Sequence, residues 1–206
     1  MENKGLSTKL IALVLGLVLT ITLAGCGNKT ASAPAEKFKS TDITGAAFGT
    51  DFKLTDHNGV PRTLADFKGK VVVMFFGYTH CPDVCPTTMT DMALALKKLG
   101  SDAEKVQVLF VTLDPNRDTQ ALLAQYVPSF NPTFLGLYAD EAATIQIAKD
   151  FHIFFQKQEG KNSKQYAIDH TAGNYIYDRE GKLRLFMNYG QDTGIIVHDL
   201  KLLVTN

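Results

Sequence analysis

Tryptophan is absent from this chain of 206 residues, so 13 phenylalanines and 7 tyrosines must supply the large aromatic volume of any core. Excess charge of either sign is absent too. Lys+Arg and Asp+Glu stand at 21 each, which removes the usual electrostatic footprint of a nucleic-acid binder. Long apolar runs are scarce. Leu10 to Leu23, LIALVLGLVLTITL, is uncharged, but it falls short of the roughly 20 residues that span a bilayer, and a multi-pass membrane protein is excluded. Apolar residues still make up 45% of the chain, too many for a disordered polar polymer. Cysteine is sparse, with Cys26, Cys81 and Cys85 alone. A disulfide-stapled scaffold is therefore excluded, and a domain of this length does not need one. The length fits one domain plus an extension, without internal repeats.

The extension is N-terminal. Lys4 and Lys9 form a short positive region, the Leu10–Leu23 run follows, and Leu23-Ala-Gly-Cys26 closes it. This order is that of an export signal, and its last four residues resemble a bacterial lipobox. Residues 1–25 are expected to be a lipoprotein signal peptide and Cys26 the site of lipid attachment. More than one acyl chain would make that anchor stable. Residues 26–44 are Ala/Ser/Thr/Lys-rich and read as a tether, which, if flexible, reaches about 25 Å. The folded domain, 45–206, is expected outside the cytoplasm, anchored to a bacterial membrane.

With Cys26 acylated, one cysteine pair remains, in Gly77-Tyr-Thr-His-Cys-Pro-Asp-Val-Cys-Pro86. A bridge closing so small a loop removes little unfolded-state entropy, so the pair is read as chemical rather than structural. Val71-Val-Val-Met-Phe-Phe76 has the continuous apolar character of a central strand covered on both faces. Met89, Met92, Ala93, Leu96 and Leu99 recur at helical spacing over Thr87–Leu99, with Gly100 as the terminating residue. Phe48–Leu54 leads into a hairpin signal at Asn58-Gly59. Val106–Leu113 is a second central strand, and Thr119–Tyr126 and Glu141–Phe151 read as helices. Thr171–Tyr177 and Leu183–Tyr189 read as paired strands, and Thr193–Val204 as the last helix. The fold class is α/β: a mixed central sheet flanked by helices, with an N-terminal β-hairpin, compatible with a thioredoxin-like core. The pair then sits where a central strand gives way to a helix N-terminus. Active sites gather at that edge, and the helix end favours thiolate over thiol. Three intervening residues separate this spacing from the two-residue motif of common dithiol oxidoreductases.

Two thiolates need a third donor for a selective metal site. His57 reads as a solvated turn residue, His152 as a strand residue with its hydrogen bonds met, and His198 as surface. His80 adjoins Cys81, and neighbours on extended backbone point apart. His170, in Ile-Asp-His-Thr171, lies at the entry to a late strand, and spacing alone leaves its role open. Met89 and Met92 read as core. Asp114, Arg117 and Asp118 read as residues that fix a loop and cap the next helix.

Phe75-Phe-Gly-Tyr-Thr-His-Cys-Pro-Asp-Val-Cys-Pro86, Val111-Thr-Leu-Asp-Pro-Asn-Arg-Asp-Thr119 and Ile168-Asp-His-Thr171 together resemble the Sco/SenC family, membrane-tethered extracytoplasmic copper proteins of thioredoxin fold. The likeness runs from about Phe48 to the C-terminus. It implies copper as the bound metal and Cys81, Cys85 and His170 as ligands. It also implies a role in building the dinuclear copper centre of cytochrome c oxidase, with that enzyme's copper-receiving subunit as partner. Soft thiolates favour Cu(I), and imidazole suits both oxidation states. Asp169 is a candidate to orient His170. The expectation is a monomeric copper chaperone without turnover. The alternative is a thiol-disulfide reductase that uses Cys81 and Cys85 to keep a copper-receiving partner reduced. A third class, the thiol peroxidases, places Thr three residues before its reactive cysteine. Tyr78 and Pro82 hold those positions here and argue against it.

Overall fold

The computed structural model describes residues 37–162 and 165–205. The signal segment, Cys26 and the tether up to residue 36 lie outside the described residues. Ten strands, β1 (Thr41–Asp42), β2 (Leu54–Asp56), β3 (Pro61–Arg62), β4 (Val71–Gly77), β5 (Val106–Thr112), β6 (Leu135–Tyr138), β7 (Phe155–Asn162), β8 (Gln165–His170), β9 (Gly173–Tyr177) and β10 (Leu183–Asn188), alternate with four α-helices: α1 (Val84–Leu99), α2 (Gln120–Tyr126), α3 (Glu141–Asp150) and α4 (Thr193–Thr205). Eight strands form one sheet in the order β1-β10-β9-β4-β5-β6-β2-β3. Its centre, β4-β5-β6, is parallel, and β9, β10 and β2 join antiparallel. This is the expected mixed sheet.

Every residue of β4 and β5 is buried. Alternation along β4 feeds two cores. Val71, Val73 and Phe75 face one side, with Met89, Met92 and Leu96 of α1 and Ile196, Leu200 and Leu203 of α4. Val72, Met74 and Phe76 face the other, with Ile147 and Ala148 of α3 and Phe151. Burying each such aliphatic or aromatic side chain contributes about 1.5–3 kcal/mol, so the sheet centre is the most strongly held part of the molecule. Helix α1 ends where Gly100 adopts φ 62°, a positive-φ conformation that glycine allows.

Several expected boundaries move. The strand expected over Phe48–Leu54 is confined to Leu54–Asp56, although the hairpin at Asn58-Gly59 forms as expected. Residues 37–44, assigned above to the tether, belong to the folded unit, which begins at Lys37. Thr41 and Asp42 pair with β10, and the buried Asp199 carboxylate of α4 accepts the Lys39 and Ser40 amides at 2.9 and 2.8 Å. Helix α1 starts at Val84, three residues before the expected Thr87. A two-stranded ribbon, β7–β8, adds to the expected elements and pairs outside the main sheet.

Candidate metal centre

The early start of α1 places Cys85 in its first turn and Cys81 just before it. Cys85 is fully buried against the end of β4 and Cys81 is half-buried. Gly77 makes room for this. A Cβ on Gly77 would stand 2.8 Å from Cys85 Sγ, 2.8 Å from the Phe75 ring and 3.1 Å from the Phe110 ring. The loop is tied down by Asp118, itself buried. Its carboxylate accepts the Thr79 amide at 2.9 Å, the Thr79 hydroxyl at 2.5 Å and the Thr112 hydroxyl at 2.6 Å. Asp118 thus fixes the cysteine loop to the end of β5, as its loop-fixing role required. The α2 cap is instead Thr119, whose side chain accepts the Leu122 amide.

The candidate third donor comes from the β7–β8 ribbon. His170 ends β8 rather than entering β9, and its Nε2 stands 3.8 Å from Cys85 Sγ. Its Nδ1 lies 3.0 Å from the Thr171 carbonyl oxygen. A carbonyl only accepts, so Nδ1 donates to it, and this bond aims Nε2 at the sulfur. Phe75 and Tyr78 meet the imidazole edge-on, with centroids 6.3 and 6.1 Å away. Asp169 does not orient it. Strand alternation turns Asp169 to the exposed face, where it accepts a hydrogen bond from Gln158 at 2.8 Å; the Thr171 carbonyl takes the orienting role.

The two thiols are electrostatically unlike. Cys81 is pulled down to about 5, first by a hydrogen bond from the Cys85 thiol, then by the backbone amides of Asp83 and Cys85 and by His170, against partial burial. Cys85 is pushed up by donating to Cys81 and by its burial. The pair thus favours charge on the half-buried Cys81 sulfur and a proton on the enclosed Cys85. Tyr78 sits between this pair and β8. Burial, and then the charges of the cysteines, raise its hydroxyl above the ordinary range, while the Ile168 backbone acts in the opposite sense.

The contacts of the remaining histidines are with groups other than the cysteines. His57 is buried, not solvated: its Nδ1 accepts the Gly136 amide at 3.0 Å and its own amide donates to the Gly136 carbonyl at 2.8 Å. His152 lies in a turn at φ 52°, not in a strand, with its ring stacked 4.4 Å from Phe48. His198 is half-buried beside Asp199 Oδ1, at 2.7 Å. His80 is exposed, 3.0 Å from the Thr79 hydroxyl. Met89 and Met92 are core.

Among the described residues, no three His, Cys, Asp or Glu side chains form a ready-made metal cage. The donor set nevertheless fits a soft ion: two cysteine sulfurs, which a metal would hold as thiolates, and an imidazole nitrogen facing one of them.

The SCO1/SenC profile matches residues 40–205. The chain belongs to the SCO1/SenC family. It is 34% identical over 197 residues to the mitochondrial SCO2 homolog of Mus musculus, an alignment covering 91% of this chain and 74% of that protein. Among solved structures it resembles copper-bound ScoI of Bradyrhizobium japonicum at 39% identity and TM-score 0.70, covering 76% of this chain and 99% of that one. It also resembles apo Sco1 of Thermus thermophilus at 37% identity and TM-score 0.72, covering 83% and 99%. These neighbours bear out the thioredoxin-like fold expected for a Sco chain. The matched region takes in both cysteines, His170 and the whole Asp-Pro-Asn-Arg-Asp-Thr segment. No helix among the described residues is long and apolar enough to cross a membrane.

The residues that the sequence reading missed are those that shape the site without donating to it: Gly77, Tyr78 and the Thr171 carbonyl. Gly77-Tyr78 directly precedes the cysteine loop, and a glycine closing a buried strand is itself a sign of close approach.

Proposed function

We propose that this protein binds one copper ion through Cys81, Cys85 and His170 and hands it to, or prepares, the dinuclear copper centre of cytochrome c oxidase. It does so outside the cytoplasm, held to the membrane by a lipid on Cys26. The observation that carries this reading is His170 Nε2 placed 3.8 Å from Cys85 Sγ, although 85 residues separate the two in sequence. Copper bound in the Bradyrhizobium japonicum relative supports the choice of metal. The thiolates suit Cu(I), and the imidazole adds a donor that also serves Cu(II). Both sulfurs must be reduced to bind, so metal loading and thiol state are linked.

Titration of the reduced protein with Cu(I) and Cu(II) tests the ligand set. Wild type is expected to take up one ion, with thiolate-to-Cu(II) absorption. His170→Ala is expected to bind Cu(II) at least about ten-fold more weakly with an unchanged fold, and the double variant Cys81→Ser/Cys85→Ser to lose the absorption. Equal affinity of wild type and His170→Ala for both ions would sink the assignment.

The asymmetry of the two thiols supports a second reading, reduction of a partner's disulfide. The Cys81 thiolate attacks one sulfur of that disulfide and releases the other as a thiolate. Cys85, losing its proton, then attacks Cys81 Sγ, leaving a Cys81–Cys85 disulfide and a fully reduced partner. This needs no imidazole. Rapid turnover of a disulfide substrate by His170→Ala, with a thiol reductant present, would favour it.

A further inference from the structure

The segment from Asp114 to Thr119 supplies no ligand in the reading above, yet two of its side chains reach 52 and 49 residues along the chain to one tyrosine. The buried Asp114 accepts the Tyr166 hydroxyl on Oδ1 at 2.6 Å and pairs through Oδ2 with Arg117 Nε. Arg117 Nη1 donates to the Tyr166 carbonyl at 2.9 Å, and its guanidinium carbon lies 3.5 Å from the centroid of the Tyr166 ring. Lys157 Nζ is 3.9 Å from the same centroid. Tyr166 is therefore gripped at hydroxyl, ring and backbone. The same guanidinium lies 5.7 Å from the Tyr78 ring, which flanks His170.

Tyr166, Ile168 and His170 share the inward face of β8, with Ile168 in the core between them. Four residues of strand span about 13 Å, so holding Tyr166 fixes one end of the face whose other end is the imidazole. The ribbon is not part of the main sheet's hydrogen-bond ladder, which leaves side chains to set its position. Charge-assisted bonds and a planar guanidinium fork are short and directional enough to do so.

We propose that Asp114, Arg117 and Tyr166 form a latch that sets where the His170 imidazole stands relative to Cys81 and Cys85. They are positioning residues for metal binding, and none of them touches the metal. The proposal rests on the reading of His170 as a ligand.

Two variants test it: Tyr166→Phe, which removes only the hydroxyl, and Arg117→Lys, which keeps the charge but loses the fork. In the reduced, metal-free protein, amide exchange across Tyr166–His170 is expected to speed up about ten-fold, with exchange in β4 unchanged. Cu(II) affinity, read from the thiolate absorption band, is expected to fall about 10–100-fold, the usual effect of losing a group that orients a ligand. Combining Arg117→Lys with His170→Ala is expected to cost less than about three-fold beyond His170→Ala alone, because the latch acts through that ring. Unchanged exchange in β8, unchanged Cu(II) affinity, or a fully multiplicative loss in the double variant would each overturn the latch while leaving His170 a ligand. Undiminished copper affinity in His170→Ala alone would remove the ligand reading itself, and the latch with it.

Discussion

The sulfur side and the imidazole side of the centre are built in opposite ways. Cys81 and Cys85 hang from the junction of β4 and α1, where the strand is buried on both faces and the helix lies on the larger core. His170 sits at the end of a ribbon outside the main sheet, whose residues 156 to 160 are all exposed. On the sulfur side, packing fixes geometry, and any disturbance costs folding free energy. On the imidazole side, a few polar contacts do the work, so geometry can change with little loss of stability. In the proposed copper site, that division pairs two fixed sulfurs with an imidazole on a support that can yield.

The sharpest way to break the contrast is to truncate one phenylalanine on each side. Phe75 is 1% exposed and packs against Phe110 with centroids 5.9 Å apart. Phe75→Ala is expected to cost about 3–5 kcal/mol. Phe154, at the foot of the ribbon, is 64% exposed, and Phe154→Ala is expected to stay within about 0.5 kcal/mol of wild type. Urea unfolding of both variants checks this. Similar losses in the two would mean that the ribbon is as firmly integrated as the sheet.

A smaller effect is expected at Gly77, where fold and site meet. The missing side chain would lie 2.8 Å from Cys85 Sγ, and Gly77 is held on its other side by the Leu113 amide, which donates to its carbonyl at 2.8 Å. Neither the strand nor the sulfur has free space to yield. Gly77→Ala is expected to cost about 1–3 kcal/mol by overpacking and to displace Cys85, weakening both Cu(I) and Cu(II). His170→Ala, by contrast, should spare stability. A Gly77→Ala protein of wild-type stability and copper affinity would show that the sulfur side is more forgiving than its packing implies.

The same division governs what could be read from the sequence. Continuous apolar runs announced β4 and β5, and helical spacing announced α1 down to Gly100, because burial on that side leaves a hydrophobic pattern. The site was half legible for the same reason: the cysteine loop had to fall between a buried strand and a helix. Phe155-Gln-Lys-Gln-Glu159 and Tyr166-Ala-Ile-Asp-His170 bury only a narrow face, so polar residues dilute their alternation and leave the ribbon that carries His170 without a clear sequence signal. Its link to Asp114 and Arg117 is a tertiary contact with no local signature. A turn position indicates exposure for His57, whereas β6 covers this turn.

That histidine offers a test of whether a hairpin must be loosely held. The β2–β3 ribbon also projects from a sheet edge, but it is keyed to β6 by backbone pairing and by His57 Nδ1, which accepts the Gly136 amide. An accepting nitrogen carries no proton, and burial pushes His57 below its ordinary range, with the Asp56 carboxylate pulling the other way. The unfolded chain takes up the proton near pH 6.5, while the folded protein does so only at lower pH. Between those values the unfolded state binds more protons, so stability falls as the pH drops through about 6.5 and levels off below the folded value. Urea midpoints of wild type and His57→Gln, measured from about pH 8 down to about pH 5, isolate this share. The gap between the two proteins is expected to narrow on acidification, because only wild type has a neutral imidazole to lose. A gap independent of pH would mean that backbone pairing alone holds the β2–β3 ribbon, with the imidazole a passenger.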